Sequence, residues 1–203
     1  MNPQVLRRFI FLMAGLTIVG FIFWNIAPGY FSRPPGDYET EIGSLRLEDG
    51  LYDEALAHFD QALKEQENHR GALMGRALVF LQTRRYEEAL TELDRLIAFL
   101  NETLEENDKT GRGALAAAYA NRGAALDRIE RYEDALASYI LALKTDAEVV
   151  EGPGIVDKIL HDTKHLSSVR LRAIYIQKQL KLPESERRLK IPELDDRQRM
   201  HKP

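Results

Sequence analysis

Gly50-Leu51-Tyr52-Asp53-Glu54-Ala55-Leu56, followed by Phe59 and Ala62-Leu63, decides how this chain is read, because it is written more than once. Arg84-Arg85-Tyr86-Glu87-Glu88-Ala89-Leu90 comes later with Leu93 and Leu96, and Glu130-Arg131-Tyr132-Glu133-Asp134-Ala135-Leu136 with Tyr139 and Ala142. Ala55, Phe59, Ala62 and Leu63 stand at i, i+4, i+7 and i+8, which is one apolar stripe along a helix. Tyr52, just before the stripe, reads as a wedge at a corner. Ala55 is small where a preceding helix must pass close, and a larger side chain there costs roughly 1–3 kcal/mol. A single hairpin cannot bury such a stripe and several stacked hairpins can, so the unit is copied along the chain.

A period of roughly 34 residues, with a small residue at the helix crossing, resembles the tetratricopeptide repeat. The resemblance implies an all-α fold: a right-handed superhelical stack of three helical hairpins with C-terminal capping helices. Laid on this sequence, the first repeat runs from Gly36 to Asn68, with Ile42, Gly43, Gly50, Tyr52, Ala55, Phe59 and Ala62 at pattern positions. The second runs from His69 to Asn101, with Ala77 in place of glycine and with Leu93 and Leu96 in place of the aromatic and the alanine. The third runs from Arg112 to Ala147, with Tyr119, Gly123, Leu126, Tyr132, Ala135, Tyr139 and Ala142. Ala89 follows Ala55 by one such period, but Ala135 lies further from Ala89, so roughly 12 residues are inserted between repeats two and three. Leu96, Ile97, Leu100 and Leu104 keep a helical period. They predict that the last helix of repeat two is lengthened, ends near Asn107–Gly111 and projects beyond the stack.

Ahead of the repeats, after a short flank of residues 1–8, the stretch from Phe9 to Ala27 carries no charge, and only Thr17 and Asn25 are polar. At 1.5 Å per residue that is roughly 28 Å, about the hydrocarbon thickness of a bilayer. Phe9, Leu12, Leu16, Val19, Phe23 and Trp24 are the expected lipid-facing residues, with Trp24 and Tyr30 at headgroup depth. A secretory signal peptide is the rival reading. Against it, the run is long for such a segment, and Asn25-Ile26-Ala27-Pro28 is a poor cleavage site. Arg7 and Arg8 precede the span and only Arg33 closely follows it. The positive-inside rule then sets the N-terminus in the cytoplasm and the repeat body in the periplasm, on a single-pass protein of a bacterial inner membrane. Ala27-Pro28-Gly29 and Arg33-Pro34-Pro35-Gly36 predict a non-helical linker over residues 28–36, able to hold the body up to roughly 30 Å from the bilayer.

The formal charge of −4 conceals a segregation: residues 1–36 carry +3, residues 37–148 carry −11 and residues 149–203 carry +4. An acidic repeat body argues against nucleic acid as a partner. The chain has no cysteine, which excludes disulfides and thiolate metal sites. Beyond Gly152-Pro153-Gly154, one helix face is expected from Ile155, Val156, Ile159 and Leu160 and another from Val169, Ala173, Ile176 and Leu180. This pair, within residues 149–182, would cap the stack. Residues 183–203 read as an extended charged tail with Leu189, Ile191, Leu194 and Met200 as its apolar anchors.

No catalytic, cofactor or metal site is expected. His161 and His165 have ligand spacing on a helix but lack a third partner. His58, His69 and His201 stand isolated, and Glu87-Glu88 and Glu105-Glu106 read as solvated faces. Asn101-Glu102-Thr103 matches a glycosylation acceptor that means something only in a eukaryotic secretory pathway.

By resemblance, the first helices of successive repeats line a concave groove. In this chain the lining comprises Asp37, Thr40, Ser44 and Leu47, then Gly71, Met74, Leu78 and Leu81, then Ala117, Ala120, Ala124 and Asp127. Family members that clamp a C-terminal carboxylate use Lys, Asn and Arg at positions occupied here by Thr40, Ser44, Gly75, Ala117 and Asn121, so that mode is not expected. A lining of Met, Leu and Ala suits an apolar or amphipathic helix, which is either a partner's or this chain's own last segment. The expected function is a membrane-anchored, non-enzymatic scaffold that binds other proteins. Its role would be that of an accessory or assembly subunit of a respiratory or photosynthetic type membrane complex, or alternatively that of a periplasmic assembly chaperone holding a client.

Overall fold

A computed structural model describes residues 3–31, 33–150 and 169–190 of the chain. It divides into two units, Met1–Pro35 and Gly36–Pro203.

The first unit is one helix, α1 (Pro3–Phe31). Phe9, Leu12, Leu16, Val19, Phe23 and Trp24 are all exposed on it, and so are Ile10, Phe11, Ile18, Phe21 and Ile22 on its other sides, so from Phe9 to Trp24 it is apolar all round. One of its polar interruptions is satisfied internally, because the Thr17 hydroxyl donates to the Met13 carbonyl at 2.8 Å. Side chains from Asn25 to Phe31, including the expected interfacial Tyr30, lie outside the description. The predicted linker is shorter than residues 28–36, since α1 continues through Pro28 to Phe31. Proline forfeits one backbone hydrogen bond, but its own φ near −65° is helical, and only one turn of helix follows it.

The second unit stacks three helical hairpins: α2 (Asp37–Glu48) with α3 (Tyr52–Glu65), α4 (Arg70–Gln82) with α5 (Tyr86–Thr103), and α6 (Lys109–Arg128) with α7 (Tyr132–Thr145). Helices α2, α4 and α6 neighbour one another in one layer, and each following helix packs back across it. A short α8 (Ala147–Val150) and a 12-residue α9 (Val169–Leu180) follow, and α9 packs on α7. The expected helix face at 155–160, the histidines at 161 and 165, and the tail beyond residue 190 lie outside the described residues.

All three hairpins close with the same turn. Gly50, Arg84 and Glu130 take left-handed backbone at φ 74, 60 and 65. The next N–H in each case reaches back five residues: Leu51 to Arg46, Arg85 to Phe80 and Arg131 to Leu126, at 2.7–2.9 Å. Those bonds satisfy carbonyls that the ending helix leaves open. Only Gly50 adopts the conformation without a Cβ penalty.

The repeat pattern becomes a packing rule at the helix crossings. A Cβ on Gly43 would lie 2.7 Å from the Phe59 ring, one on Gly75 would lie 2.3 Å from it, and one on Gly123 would lie 2.6 Å from the Tyr139 ring. Phe59 and Tyr139 are fully buried, each ring lying on bare backbone. At the corresponding crossing of repeat two, Ala77 replaces the glycine and Leu93 the aromatic, and both are fully buried. The methyl group added on one helix offsets the ring lost from the other.

The inserted residues do not build one projecting helix. Helix α5 has 18 residues against 14 in α3 and α7, and α6 has 20 against 13 in α4, so both arms of the connection lengthen together. Helix α5 ends at Thr103, short of the expected Asn107–Gly111, and Lys109 already opens α6. Asp108 starts that helix: its carboxylate accepts from the Gly111 N–H at 2.7 Å and from Arg70 at 2.9 Å. Leu100 is buried and Leu104 packs on the same core, so the extension belongs to the stack.

Candidate partner-binding face

Nine of the residues expected at the groove, the lining positions Thr40, Ser44, Leu47, Met74, Leu78, Leu81, Ala117 and Ala124 with the clamp position Asn121, divide into two groups. On α2, Thr40, Ser44 and Leu47 are half-buried. On α4 and α6, Met74, Leu78, Leu81, Ala117, Asn121 and Ala124 are buried within the chain itself. Leu47, Met74, Leu78, Leu81 and Ala117 share one apolar cluster. Asn121 is fully buried, and its side-chain amide donates to the Met74 sulfur at 3.4 Å, across from α6 to α4. Of these nine positions, the six on α4 and α6 are therefore closed within the chain and the three at the α2 edge are partly accessible.

That edge is fixed by a histidine that sequence reading treated as isolated. His69, 8% exposed, is the N-cap of α4: its Nδ1 accepts from the Ala72 N–H at 3.2 Å and lies 3.2 Å from the Thr40 hydroxyl. Accepting there requires a bare Nδ1, which puts the proton on Nε2, 2.8 Å from Asp37 Oδ1. One ring thus ties Asp37 and Thr40 of α2 to the start of α4. Nearby, the Gly36 N–H donates to Glu65 at 2.9 Å, and the Ser44 hydroxyl donates to the Thr40 carbonyl at 2.9 Å. His58 is also engaged, 2.7 Å from Glu39. No sequence signature distinguishes a capping histidine from an exposed one.

Asp127, expected to line the groove, instead lies under α9. Its carboxylate accepts from Arg172 at 2.6 and 2.8 Å, a two-pronged pair with both side chains under 5% exposed, and from the Tyr139 hydroxyl at 3.3 Å. Arg172 also donates to the Leu189 carbonyl at 3.0 Å, drawing the chain after α9 onto the last repeat. In the connection between repeats two and three, the Gly111 N–H holds the Asp108 carboxyl below its ordinary value of 3.8, and Arg70 reinforces the shift. Among the described residues no group of three or more His, Asp or Glu side chains could hold a metal ion.

Comparison with known proteins agrees with this geometry. Residues 40–108 match the family described as tetratricopeptide repeat. The first tetratricopeptide domain of Spaghetti (RPAP3), solved bound to the HSP90 peptide SRMEEVD, is similar in fold. It aligns with a TM-score of 0.53 and 16% identity, over 74% of this chain and 97% of that one. The tetratricopeptide domain of Arabidopsis OM64 aligns with a TM-score of 0.47 and 18% identity, over 68% and 94%. No curated protein matches the sequence. Residues 40–108 carry the tetratricopeptide repeat, the repeat body as a whole shares the fold of a tetratricopeptide domain, and α1 is long and apolar enough to cross a membrane or serve as a signal anchor.

Proposed function

We propose that this chain is a membrane-tethered, non-enzymatic scaffold whose repeat body binds another protein as an accessory or assembly subunit of a membrane complex of respiratory or photosynthetic type. The observation that carries the reading is the presence, in one chain, of a helix apolar on every side and a tetratricopeptide stack. The expected orientation, with the N-terminus in the cytoplasm and the body in the periplasm, rests on Arg7 and Arg8 before the span against Arg33 after it. A C-terminal reporter active only in the cytoplasm would reverse it.

The peptide bound by the Spaghetti domain supports a protein partner in kind. Its chemistry differs here, because Thr40, Ser44, Gly75, Ala117 and Asn121 at the clamp positions offer no cation to an acidic terminus. We place partner contact on the α2 edge, at Thr40, Ser44 and Leu47, with buried Met74, Leu78, Leu81, Ala117, Asn121 and Ala124 forming the floor beneath it. The test is isolation of the full chain from its native membranes in mild detergent, with Leu47→Arg as the comparison. Recovery of one protein at fixed stoichiometry, lost in the variant, is the expected result. Recovery only with an immature client would make the chain an assembly chaperone, and recovery alone would remove the scaffold reading.

A further inference from the structure

Not all of the basic charge that follows the repeats is directed at the repeat body. Arg172 pairs with Asp127, Lys190 lies 2.7 Å from Glu130, and Arg187 donates to the carbonyls of Leu180 and Leu182. Lys178, Lys181 and Arg188 are left over: all three are exposed, and their side chains have no partner among the described residues. Ile174, Lys178 and Lys181 stand at i, i+4 and i+7, one outward stripe that continues one residue past the end of α9, opposite the buried Val169, Arg172, Ala173 and Ile176. Ile174 is 42% exposed on that stripe, and Leu182 beside its end is 37% exposed. Helix α9 contains no acidic residue; Glu184 and Glu186 come after Pro183, in a separate 3₁₀ turn. The terminal helices of repeat arrays ordinarily turn a polar outer face to water. Here aliphatic side chains stand among lysines, whose long stems lie along apolar surface while their ammonium groups reach outward.

We propose that the outer face of α9 docks on anionic phospholipid, with Ile174 and Leu182 entering the headgroup layer and Lys178, Lys181 and Arg188 lying among its phosphates. Cations beside exposed aliphatic residues are the composition of an interfacial surface, and an anionic leaflet attracts each lysine or arginine that comes within a screening length of it. The contact is a second and reversible one, and it rests on the membrane reading of α1 only for bringing α9 within reach of lipid at high effective concentration. Residues 37–148 carry −11 and are repelled by the same leaflet. Docking through a cationic face therefore selects which side of the body meets the bilayer and keeps the acidic repeats, with the α2 edge, free for a protein partner.

The test uses the full chain reconstituted in vesicles. The chain has no cysteine, so Ile174→Cys gives a single site for a fluorophore. Brominated phosphatidylglycerol mixed in equal parts with phosphatidylcholine should quench that label, and brominated phosphatidylcholine alone should not. Lys178→Gln/Lys181→Gln on the labelled chain changes two exposed positions, so folding is spared. It should lower the ratio of docked to free faces about thirtyfold, each cation contributing about fivefold near an anionic surface. Raising salt from about 0.1 M to about 1 M shortens the screening length from about 10 Å to about 3 Å and should release the parent's face in the same way. A label at Gln61→Cys, exposed on α3, should stay unquenched in both lipids. Alkaline extraction of the same vesicles reads the anchoring of α1 separately, so the tether and the α9 face can fail independently. The proposal is overturned by a label at position 174 indifferent to anionic lipid, by equal quenching in neutral lipid, or by quenching that the lysine replacements leave unchanged. It is equally overturned if the label is shielded from aqueous iodide in neutral vesicles, which would put protein rather than lipid over the face.

Discussion

Replacing Gly43 by alanine tests whether the repeats are held by their crossings. The added Cβ would lie 2.7 and 2.8 Å from two carbons of the Phe59 ring, and the ring cannot retreat because the Gly75 backbone flanks it as well. Alanine in a helix interior gains about 1 kcal/mol over glycine. Overpacking a filled core costs about 1–3 kcal/mol, and the pinned ring puts this site at the upper end. The expected net loss is about 1–2 kcal/mol, a fall in Tm of about 3–6 °C for a domain of this size. Phe59→Leu alone leaves a void beside both glycines and destabilises by a similar amount, about 1–2 kcal/mol. Together, Gly43→Ala and Phe59→Leu reproduce the Ala77 and Leu93 combination that repeat two already carries. The double variant should therefore be more stable than the sum of the singles by about 1–2 kcal/mol, within the range seen for touching residues. Urea unfolding of the four proteins of the cycle measures this. Additivity to within about 0.5 kcal/mol, or a Gly43→Ala variant more stable than the parent, would refute the reasoning.

Three further outcomes are expected. Arg172→Leu strands the Asp127 carboxylate where it is 3% exposed, and should cost about 3–5 kcal/mol. Adding Asp127→Leu to that variant should recover most of the loss in thermal melts, with protease release of the segment after α7 as a second readout. Arg84→Gly removes the Cβ penalty of a left-handed residue, about 1–2 kcal/mol before the added flexibility of glycine is subtracted, so Tm should rise by about 1–3 °C. Asp108→Asn should lower the urea midpoint at neutral pH. The carboxyl titrates lower when folded, so its ionised form stabilises fully above the ordinary value of 3.8, and the gap from the parent should close as pH falls below it.

The hairpins were legible because Ala55, Ala89 and Ala135, with the tyrosine three residues before each, mark a recurring corner in any helical reading. The insertion was legible only in half. Leu96, Ile97 and Leu100 announce a longer α5, but Lys109-Thr110-Gly111-Arg112-Gly113 has turn composition and is helical here. Asp108 caps it, and at Gly111 a Cβ would meet Asp108, Leu104 and Arg70 at 2.4–2.8 Å. Left-handed Arg84 and Glu130 inherit the turn geometry that only Gly50 advertises. The groove illustrates the limit of pattern reading. Met74, Leu78 and Asn121 occupy lining positions on their own helices, yet their burial depends on how close α4 and α6 approach, which no single helix encodes. Asp127 finds Arg172 45 residues away, and His69 finds Asp37 32 away, so neither role could be read from neighbours in sequence.

Membrane fractionation coupled to mass measurement of the native assembly tests the central claim most directly. The chain is expected to stay with membranes after an alkaline wash, and to be released by detergent with a second protein in constant ratio. A chain found in the aqueous fraction, or one released with no other protein bound, would contradict it.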